Sequence, residues 1–153
     1  MKILITGAGG FVGSHLADYF AGKGSKKDIV ATFFEKGPKN IEHLTGKITI
    51  KKLDINDRDE VLETISDLKP DYIYHMAAQS YVMPSWRDPR GTIITNIIGT
   101  LNIIEAVMSL NPNTRIVLAC SSAEYGINLP EEIPIKETKE FRPSSPYAVS
   151  KIG

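Results

Sequence analysis

Tyr147 and Lys151, near the end of the chain, have the residue types and the spacing needed for proton transfer. Ser145 and Pro146 are typical of a helix start, and residues four apart in a helix share one face. An ammonium beside a phenol stabilises the phenolate and lowers the pKa of the tyrosine from about 10 toward neutrality, so that it can act as an acid or a base. A surface tyrosine beside a solvated lysine has the same spacing, so the pair alone leaves both interpretations open.

The glycine-rich stretch 6–13 is a second candidate site. It follows a short apolar run and precedes apolar residues at helical spacing, which predicts a strand-to-helix turn. Such glycines let the backbone approach a pyrophosphate, whose charge meets the positive end of the following helix. The spacing of Gly7, Gly10 and Gly13 is wider than G-x-G-x-x-G, and no Gly-Lys-Ser/Thr follows, which argues against a nucleoside triphosphate loop. A glycine-rich turn without a ligand is the alternative.

Strands and helices alternate along the chain and position these residues. Apolar runs predict strands at residues 3–5, 29–34, 48–53, 71–76 and 116–120. Helical patterns fall between them, the longest from Pro89 to about residue 110. The alternation predicts an α/β fold, a doubly wound parallel sheet of the Rossmann type, with its ligand crevice beyond the carboxyl ends of the strands. The residues at these five strand ends are Gly7, Glu35, Asp54, Ala77 and Ser121.

The composition excludes several classes of protein. The 153 residues fit one domain, and 18 basic against 18 acidic residues give no net charge, so we expect neither nucleic acid nor an anionic membrane as a partner. No apolar run approaches the roughly 18 residues of a membrane span, and no secretory signal is evident, which favours a cytoplasmic protein. Cys120 has no identifiable base and is interpreted as a small buried residue. His15 and His43 lack companions at metal-ligand spacing, so we expect no metal site.

These motifs resemble the extended short-chain dehydrogenases/reductases, the NAD-dependent epimerase/dehydratase family that acts on nucleotide sugars. The matching segments, in the family's order, are residues 6–13, 54–55, 75–80, 96 with 99–100, 121 with 125–126, and 147–151. Residues 78–82 with 85–86, 121–126 and 142–147 look most like the branch of GDP-mannose 4,6-dehydratases and GDP-4-keto-6-deoxymannose reductases. Because family members are much longer, the resemblance implies an amino-terminal half: a dinucleotide-binding domain over 1–153, truncated before its last strands, with the substrate domain absent.

The resemblance also implies a role for individual residues. Tyr147 would be the acid or base, Lys151 would lower its pKa and hold the nicotinamide ribose, and Ser121 would hydrogen-bond the reacting sugar oxygen. Substrate contacts are implied for Ser80 and Ser122 as well. Asp54 and Ile55 would flank the adenine. The remaining implied cofactor contacts are Gly7, Gly10, Phe11, Val12, Gly13, Ala77, Ala78, Gln79 and Asn96.

The predicted cofactor is NAD, because Glu35 lies roughly 20 residues after the glycine turn, where an acidic residue binds the ribose hydroxyls. No arginine follows the second strand. Lys36 and Lys39 are close enough in sequence to leave NADP possible. A shift in strand register that puts Phe34 in this position is an equal alternative.

The residues around Ser121 bear on the type of reaction. In the family, 4,6-dehydration uses a carboxylate two residues before the tyrosine of a Tyr-Gly pair, and here that position is Ala123. Glu124 is one position later, and neighbouring side chains in an extended segment point opposite ways. The pattern therefore favours reduction or epimerisation of a GDP-linked 4-keto-6-deoxy sugar. A GDP-mannose 4,6-dehydratase and a cofactor-binding fragment without activity are the alternatives.

The long helix 89–110 has more apolar residues than one sheet face covers. This pattern, and the dimers of the family that the chain resembles, predict a homodimer through this helix. A wholly internal helix is the alternative.

Overall fold

The computed structural model describes residues 1–23, 28–35 and 37–153. The strands in this part of the chain are β1 Ile3–Thr6, β2 Ile29–Phe33, β3 Thr49–Lys52, β4 Tyr72–His75 and β5 Arg115–Leu118. The α-helices are α1 Phe11–Lys23, α2 Arg58–Leu68, α3 Val82–Arg87, α4 Pro89–Ile93, α5 Gly99–Leu110 and α6 Pro146–Ile152. A π-helical turn, Ile94–Ile98, joins α4 to α5, and short 3-10 turns cover Glu42–Leu44, Ser122–Tyr125 and Pro130–Glu132.

These elements form two compact units. The sheet unit comprises residues 1–78 and 99–119 and contains β1 to β5 with α1, α2 and α5. The helical unit comprises residues 79–98 and 120–153 and contains α3, α4, the π-helical turn and α6.

The sheet is parallel throughout, with the strand order β3-β2-β1-β4-β5. The chain moves outward from β1 to β3 on one side, then returns to the other side of β1 for β4 and β5. This reversal confirms the predicted doubly wound Rossmann topology. It also makes the carboxyl ends of β1 and β4 the switch point at which such sheets bind ligands.

The core lies on both faces of the sheet because successive side chains of a strand point to opposite faces. Ile3 and Ile5 of β1 are fully buried in a cluster with Ala17 of α1. Leu4, between them, belongs to a second cluster with Ile65 of α2 and Ile103 of α5. The central strands are therefore apolar on both sides, which is why they appear in the sequence as continuous apolar runs.

The long helix is present from Pro89 to Leu110, as predicted. By length and composition it is the one helix in the described part of the chain that could cross a membrane, with 22 residues and a mean hydropathy of 1.6. The sequence shows no uninterrupted run of that length because Asn96, Asn102 and Glu105 break it. Ile103 is fully buried with α2 in the second core cluster, whereas Leu101 and Met108 of the same helix are exposed.

The prediction that Cys120 is buried within a fifth strand is wrong. The strand ends at Leu118, and Cys120 is exposed. The physical reason is that β5 is the edge strand of the sheet in the described chain. Val117 and Leu118 are also 44% and 43% exposed.

Candidate cofactor and active site

The glycine turn lies in the sheet unit, between β1 and α1, where the sequence predicts it. Gly7 has a φ of +66°, and a Cβ there would lie 2.5 Å from the backbone nitrogen of Ala77. A Cβ on Gly13 would lie 2.5 Å from the carbonyl oxygen of Gly7. Both positions therefore require glycine, because any side chain would push the turn away from β4 or from α1.

The start of α1 fits an anionic group. Phe11 and Val12 are 77% and 56% exposed, and no acidic residue occupies the first turn of the helix. Its positive dipole end and its unpaired backbone N–H groups are thus not neutralised by the helix's own side chains. The turn can take a pyrophosphate, as the glycine spacing predicts.

The segment after β2 packs directly on the glycine turn. Asn40 donates a hydrogen bond of 2.9 Å from Nδ2 to the carbonyl oxygen of Gly9, and a Cβ on Gly9 would lie 2.8 Å from the carbonyl oxygen of Gly37. Asn40 was missed in the sequence because it belongs to no recognisable motif. Glu35 is exposed at the carboxyl end of β2, next to Phe34. Whether Glu35 or Phe34 occupies the position that meets the ribose therefore remains open. Lys36 lies outside the described residues.

The loop after β3 carries Asp54 and Ile55. Asp54 is half-buried, and its Oδ1 accepts a hydrogen bond of 2.9 Å from the backbone N–H of Asn56. Ile55 is buried, and its carbonyl oxygen accepts a hydrogen bond of 2.9 Å from Nδ2 of Asn102 on α5. Asn102 was also missed, because a polar residue within an apolar helix gives no indication of its partner.

The carboxyl end of β4 is fixed by a buried histidine. His75 Nδ1 lies 2.7 Å from Oγ1 of Thr6 on β1, and its Nε2 lies 3.1 Å from Oγ1 of Thr100 on α5. Ala77 donates to the same Thr6 oxygen at 3.3 Å. His75 is thus a core residue with hydrogen-bond partners. No cluster of three His, Cys, Asp or Glu side chains suited to a metal occurs among the described residues.

In the helical unit, α6 carries Tyr147 and Lys151 on one face, as predicted. The helix begins at Pro146, and the Oγ of its N-cap Ser145 accepts a hydrogen bond from Ala148 N at 3.1 Å. Tyr147 is 9% exposed, and its backbone N–H donates to Oγ of the fully buried Ser85 at 3.1 Å. The tyrosine therefore belongs to a packed interior, and a solvated surface tyrosine is excluded.

Burial and neighbouring groups shift the pKa of Lys151 in opposite directions. Burial lowers the pKa of Lys151 below its ordinary value of 10.5, and this effect is the largest. The electrostatic effects of Cys120 and Glu124 raise the pKa again, because they favour the ammonium form. Lys151 thus combines a buried position with a carboxylate, Glu124, that favours its charged form.

Asn96 connects Gln79, another predicted cofactor residue, to Ser150 of α6. Its Oδ1 accepts from the backbone N–H of Gln79 at 2.8 Å, and its Nδ2 donates to the carbonyl of Gln79 at 3.0 Å and to Oγ of Ser150 at 2.8 Å. Ser150 in turn donates to the carbonyl oxygen of Tyr147 at 2.7 Å. The amide of Asn96 thus holds protein groups in place, and its predicted contact with the cofactor remains a prediction.

The segment after Ser121 is a 3-10 turn, Ser122–Tyr125, and the prediction of an extended segment there is wrong. Ser121 caps the turn, and its Oγ accepts from Ala123 N at 3.2 Å. Glu124 is 6% exposed, and its Oε1 accepts from Ser121 N at 2.8 Å. This reciprocal pair is a capping box, which satisfies two backbone N–H groups that an extended strand would have paired elsewhere.

The family of the chain follows from its sequence match. The family model described as GDP-mannose 4,6 dehydratase matches residues 4–153, almost the whole chain.

The chain belongs to the GDP-mannose 4,6-dehydratase family.

Its relatives in this and neighbouring families are similarly distant. A GDP-mannose 4,6-dehydratase from Vibrio cholerae is 32% identical over 99% of the chain, and a UDP-glucose 4-epimerase from Streptococcus mutans is 35% identical over 99% of it. Among solved structures, the UDP-glucose 4-epimerase of Thermus thermophilus in complex with NAD superposes with a TM-score of 0.85 at 28% identity over 99% of the chain. This member of the GDP-mannose 4,6-dehydratase family spans 43%, 44% and 47% of those three proteins respectively.

The site residues predicted for this family member divide between the two units. The sheet unit contains Gly7, Gly10, Phe11, Val12, Gly13, Glu35, Asp54, Ile55, Ala77 and Ala78. The helical unit contains Gln79, Ser80, Asn96, Ser121, Ser122, Tyr147 and Lys151. Ser80 and Ser122 are exposed, and Ala77, Ala78 and Gln79 are half-buried.

Proposed function

We propose that the intact protein is an NAD-dependent enzyme that reduces or epimerises a GDP-linked 4-keto-6-deoxy sugar. The observation that carries this proposal is the capping box of Ser121 and Glu124. Position 123 has no carboxylate, and the Glu124 carboxylate is buried and bonded to Ser121 N at 2.8 Å. The carboxylate that 4,6-dehydration requires as proton acceptor is therefore absent at position 123. The carboxylate at position 124 is already occupied by its hydrogen bond from Ser121 N.

The residues of the sheet unit fit the adenosine and pyrophosphate groups of NAD. Gly7 and Gly13 keep the turn free of side chains, and the exposed start of α1 offers N–H groups and a positive dipole to the pyrophosphate. Asp54 and Ile55 would hold the adenine end. The Thermus thermophilus and Brucella ovis epimerase structures, both described as complexes with NAD, support this choice of cofactor. When bound, the nicotinamide accepts a hydride from a sugar carbon and returns it.

The residues of the helical unit fit the accompanying proton transfer. During reduction, the Tyr147 hydroxyl gives its proton to the carbonyl oxygen as the carbon gains a hydride; during oxidation, the phenolate takes the proton of the sugar hydroxyl. Lys151 stabilises the phenolate by its charge. The Ser121 hydroxyl donates a hydrogen bond to the same sugar oxygen and so polarises it.

GDP-mannose 4,6-dehydration is the second candidate, and the family match favours it. In that reaction a base removes a proton beside the transient keto group, and water leaves from the neighbouring carbon. Glu124 is the nearest carboxylate along the chain to position 123. To act as the base, it would have to give up its hydrogen bond from the N–H of Ser121. A third candidate, a chain that binds cofactor without turnover, would need the glycine turn and have no need for Ser121, Tyr147 and Lys151 together.

The product formed from defined substrates separates these functions. The intact enzyme is supplied with GDP-mannose alone, or with a GDP-4-keto-6-deoxy sugar plus reduced dinucleotide, and the products are followed by NMR. Reduction or epimerisation of the keto sugar, without conversion of GDP-mannose, is the expected result. Efficient formation of the 4-keto-6-deoxy sugar from GDP-mannose would establish the dehydratase instead. Heat stabilisation by NAD without turnover of either substrate would favour the third candidate, a chain that only binds the cofactor.

A further inference from the structure

We propose that Gly99 and Asn102, in the first turn of α5, are positioning residues for the adenosine half of the dinucleotide. They hold the loop of residues 54–57, which we call the β3 loop, in the conformation that meets the adenine. This inference rests on the proposed binding of NAD, and it gives both residues a role in the shape of the adenosine site.

Asn102 makes polar contacts from a buried position. It is 6% exposed, and its neighbour Ile103 is fully buried in the core cluster of β1, β4, α2 and α5. From there its Nδ2 donates to the carbonyl oxygens of Ile55 at 2.9 Å and Asn56 at 3.4 Å. A buried amide is costly unless its hydrogen bonds are made, so an apolar residue would serve packing better. The amide at this site therefore serves to fix two consecutive carbonyls of the β3 loop.

Gly99 brings the same helix turn against the same loop. A Cβ on Gly99 would lie 2.7 Å from Cδ1 of Ile55 and 3.3 Å from Oδ1 of Asn56. The first of these distances is too short for any real contact, so a side chain at 99 would displace Ile55. Gly99 and Asn102 are three residues apart and thus share one face of α5. This face is a template on which the β3 loop rests.

The position of the β3 loop assigns it to the adenosine half of the ligand. β3 lies on the β2 side of β1, in the half of the doubly wound sheet away from β4. Each half of such a sheet binds one mononucleotide of a dinucleotide. Leu53 N donates to Phe33 O at 2.9 Å, which aligns the start of the β3 loop with the end of β2. A shift of the loop would therefore change contacts with the adenosine and leave those with the nicotinamide mononucleotide half unchanged.

The test measures binding of ADP-ribose and of nicotinamide mononucleotide to the 153-residue chain by NMR titration. In Asn102→Asp, the donor is replaced by an oxygen that repels the two carbonyls. We expect the affinity for ADP-ribose to fall about tenfold, the scale of one lost buried hydrogen bond, and the affinity for nicotinamide mononucleotide to stay within about twofold.

The matched control is Asn111→Asp. Asn111 follows α5, and its Nδ2 donates to the carbonyl oxygen of Pro70 at 3.3 Å, before the start of β4 and far along the chain from the β3 loop. This variant loses the same type of bond, so it should lower thermal stability and leave both affinities unchanged. Equal loss of ADP-ribose affinity in the two variants, or equal loss for both ligands in Asn102→Asp, would overturn the positioning role.

A second pair of variants covers the case in which Asn102→Asp fails to fold. Gly99→Ala should weaken ADP-ribose binding selectively, whereas Gly22→Ala in α1, where a Cβ meets nothing within 4 Å, should not. Equal ADP-ribose affinities in these two variants would refute the inference. A wild-type chain that binds neither ADP-ribose nor NAD would instead refute the proposed function, and the inference with it.

Discussion

The carboxylate of Glu124 accepts a hydrogen bond of 2.8 Å from the backbone N–H of Ser121, and the Ser121 hydroxyl accepts one of 3.2 Å from Ala123 N. Each side chain therefore accepts from a backbone N–H group of the same turn. Glu124 also contributes negative charge beside Lys151 and so raises the pKa of that lysine against the larger effect of burial. In the proposed function, this turn is the feature that separates reduction from dehydration.

Glu124→Gln separates a structural glutamate from a catalytic base. Glutamine is an accepted third residue of a capping box, so the turn should keep its geometry. If the carboxylate has no part in proton transfer, turnover in the intact enzyme stays within about threefold of wild type. A loss of about 10² or more in kcat, with thermal stability unchanged, would identify Glu124 as a general base and favour dehydration. Glu124→Ala, which leaves Ser121 N without its partner, should lower the free energy of unfolding by about 1 kcal/mol.

Tyr147→Phe should remove most turnover of the intact enzyme and leave NAD affinity nearly unchanged, because only the hydroxyl that exchanges the proton is lost. A fall in kcat of at least about 10² at constant NAD affinity is expected. Tyr19→Phe is the matched control: Tyr19 is 53% exposed on α1, and its hydroxyl accepts from Lys23 Nζ at 2.9 Å. Near-normal turnover of Tyr147→Phe would show that Tyr147 is not the acid or base of the reaction. Lys151→Met should reduce both turnover and NAD affinity.

Glu35→Gln tests the preference for NAD. Glu35 is exposed at the carboxyl end of β2, where its carboxylate would repel the extra phosphate of NADP. Loss of one charge should raise the NADP affinity relative to NAD by about fivefold at low salt, the scale of a charge pair at about 4 Å in water. Competition titrations with both dinucleotides measure this ratio, and Glu42→Gln, in the 3-10 turn Glu42–Leu44, is the control. Tighter binding of NADP than of NAD by the wild type would contradict the assignment.

Glu132 should stabilise the segment 128–142 down to unusually low pH. Its carboxylate accepts from Lys139 Nζ at 2.8 Å, Leu129 N at 2.8 Å and Arg142 Nη1 at 2.9 Å, and these bonds lower the pKa of Glu132 from 4.5 to about 2. Between these pH values the unfolded state binds more protons, so the stabilisation is complete above pH 4.5 and is lost as the pH falls through about 2.

Carboxyl-carbon NMR of Glu132 measures this pKa directly. The difference in free energy of unfolding between wild type and Glu132→Gln should also shrink as the pH falls below 4.5. Glu131→Gln removes the neighbouring exposed glutamate and is the control. A Glu132 carboxyl that titrates at its ordinary pKa would show that these three bonds do not persist in solution.

The helix Pro89–Leu110 is proposed as a homodimer interface of the intact protein. Leu101 is 44% and Met108 is 71% exposed, and residues seven apart share one helix face. Leu101→Glu should convert the dimer to monomers in sedimentation velocity, because a buried unpaired charge is costly. Tyr19→Glu, on the exposed face of α1, should leave the dimer intact. A wild-type protein that sediments as a monomer at micromolar concentration would refute the proposal.

The sequence by itself determined the fold and the main candidate residues. Apolar runs that alternate with helical patterns allow few topologies other than a parallel sheet, and the glycine turn identifies where β1 meets α1. Gly7, Glu35, Asp54 and Ala77 follow β1 to β4 in the structure as predicted, because the end of a strand is a local property that the chain itself encodes.

Only the tertiary structure decided which local patterns are buried and which are exposed. Tyr19–Lys23 and Tyr147–Lys151 have the same spacing, yet the first tyrosine is 53% exposed and the second 9% exposed. The turn at Glu124, the exposure of Cys120 and the partners of Asn102 were not predictable either. Each depends on a group that is distant in sequence or on the place of a strand within the sheet. A residue's local pattern specifies its chemistry, whereas its burial and its hydrogen-bond partners depend on how distant segments pack.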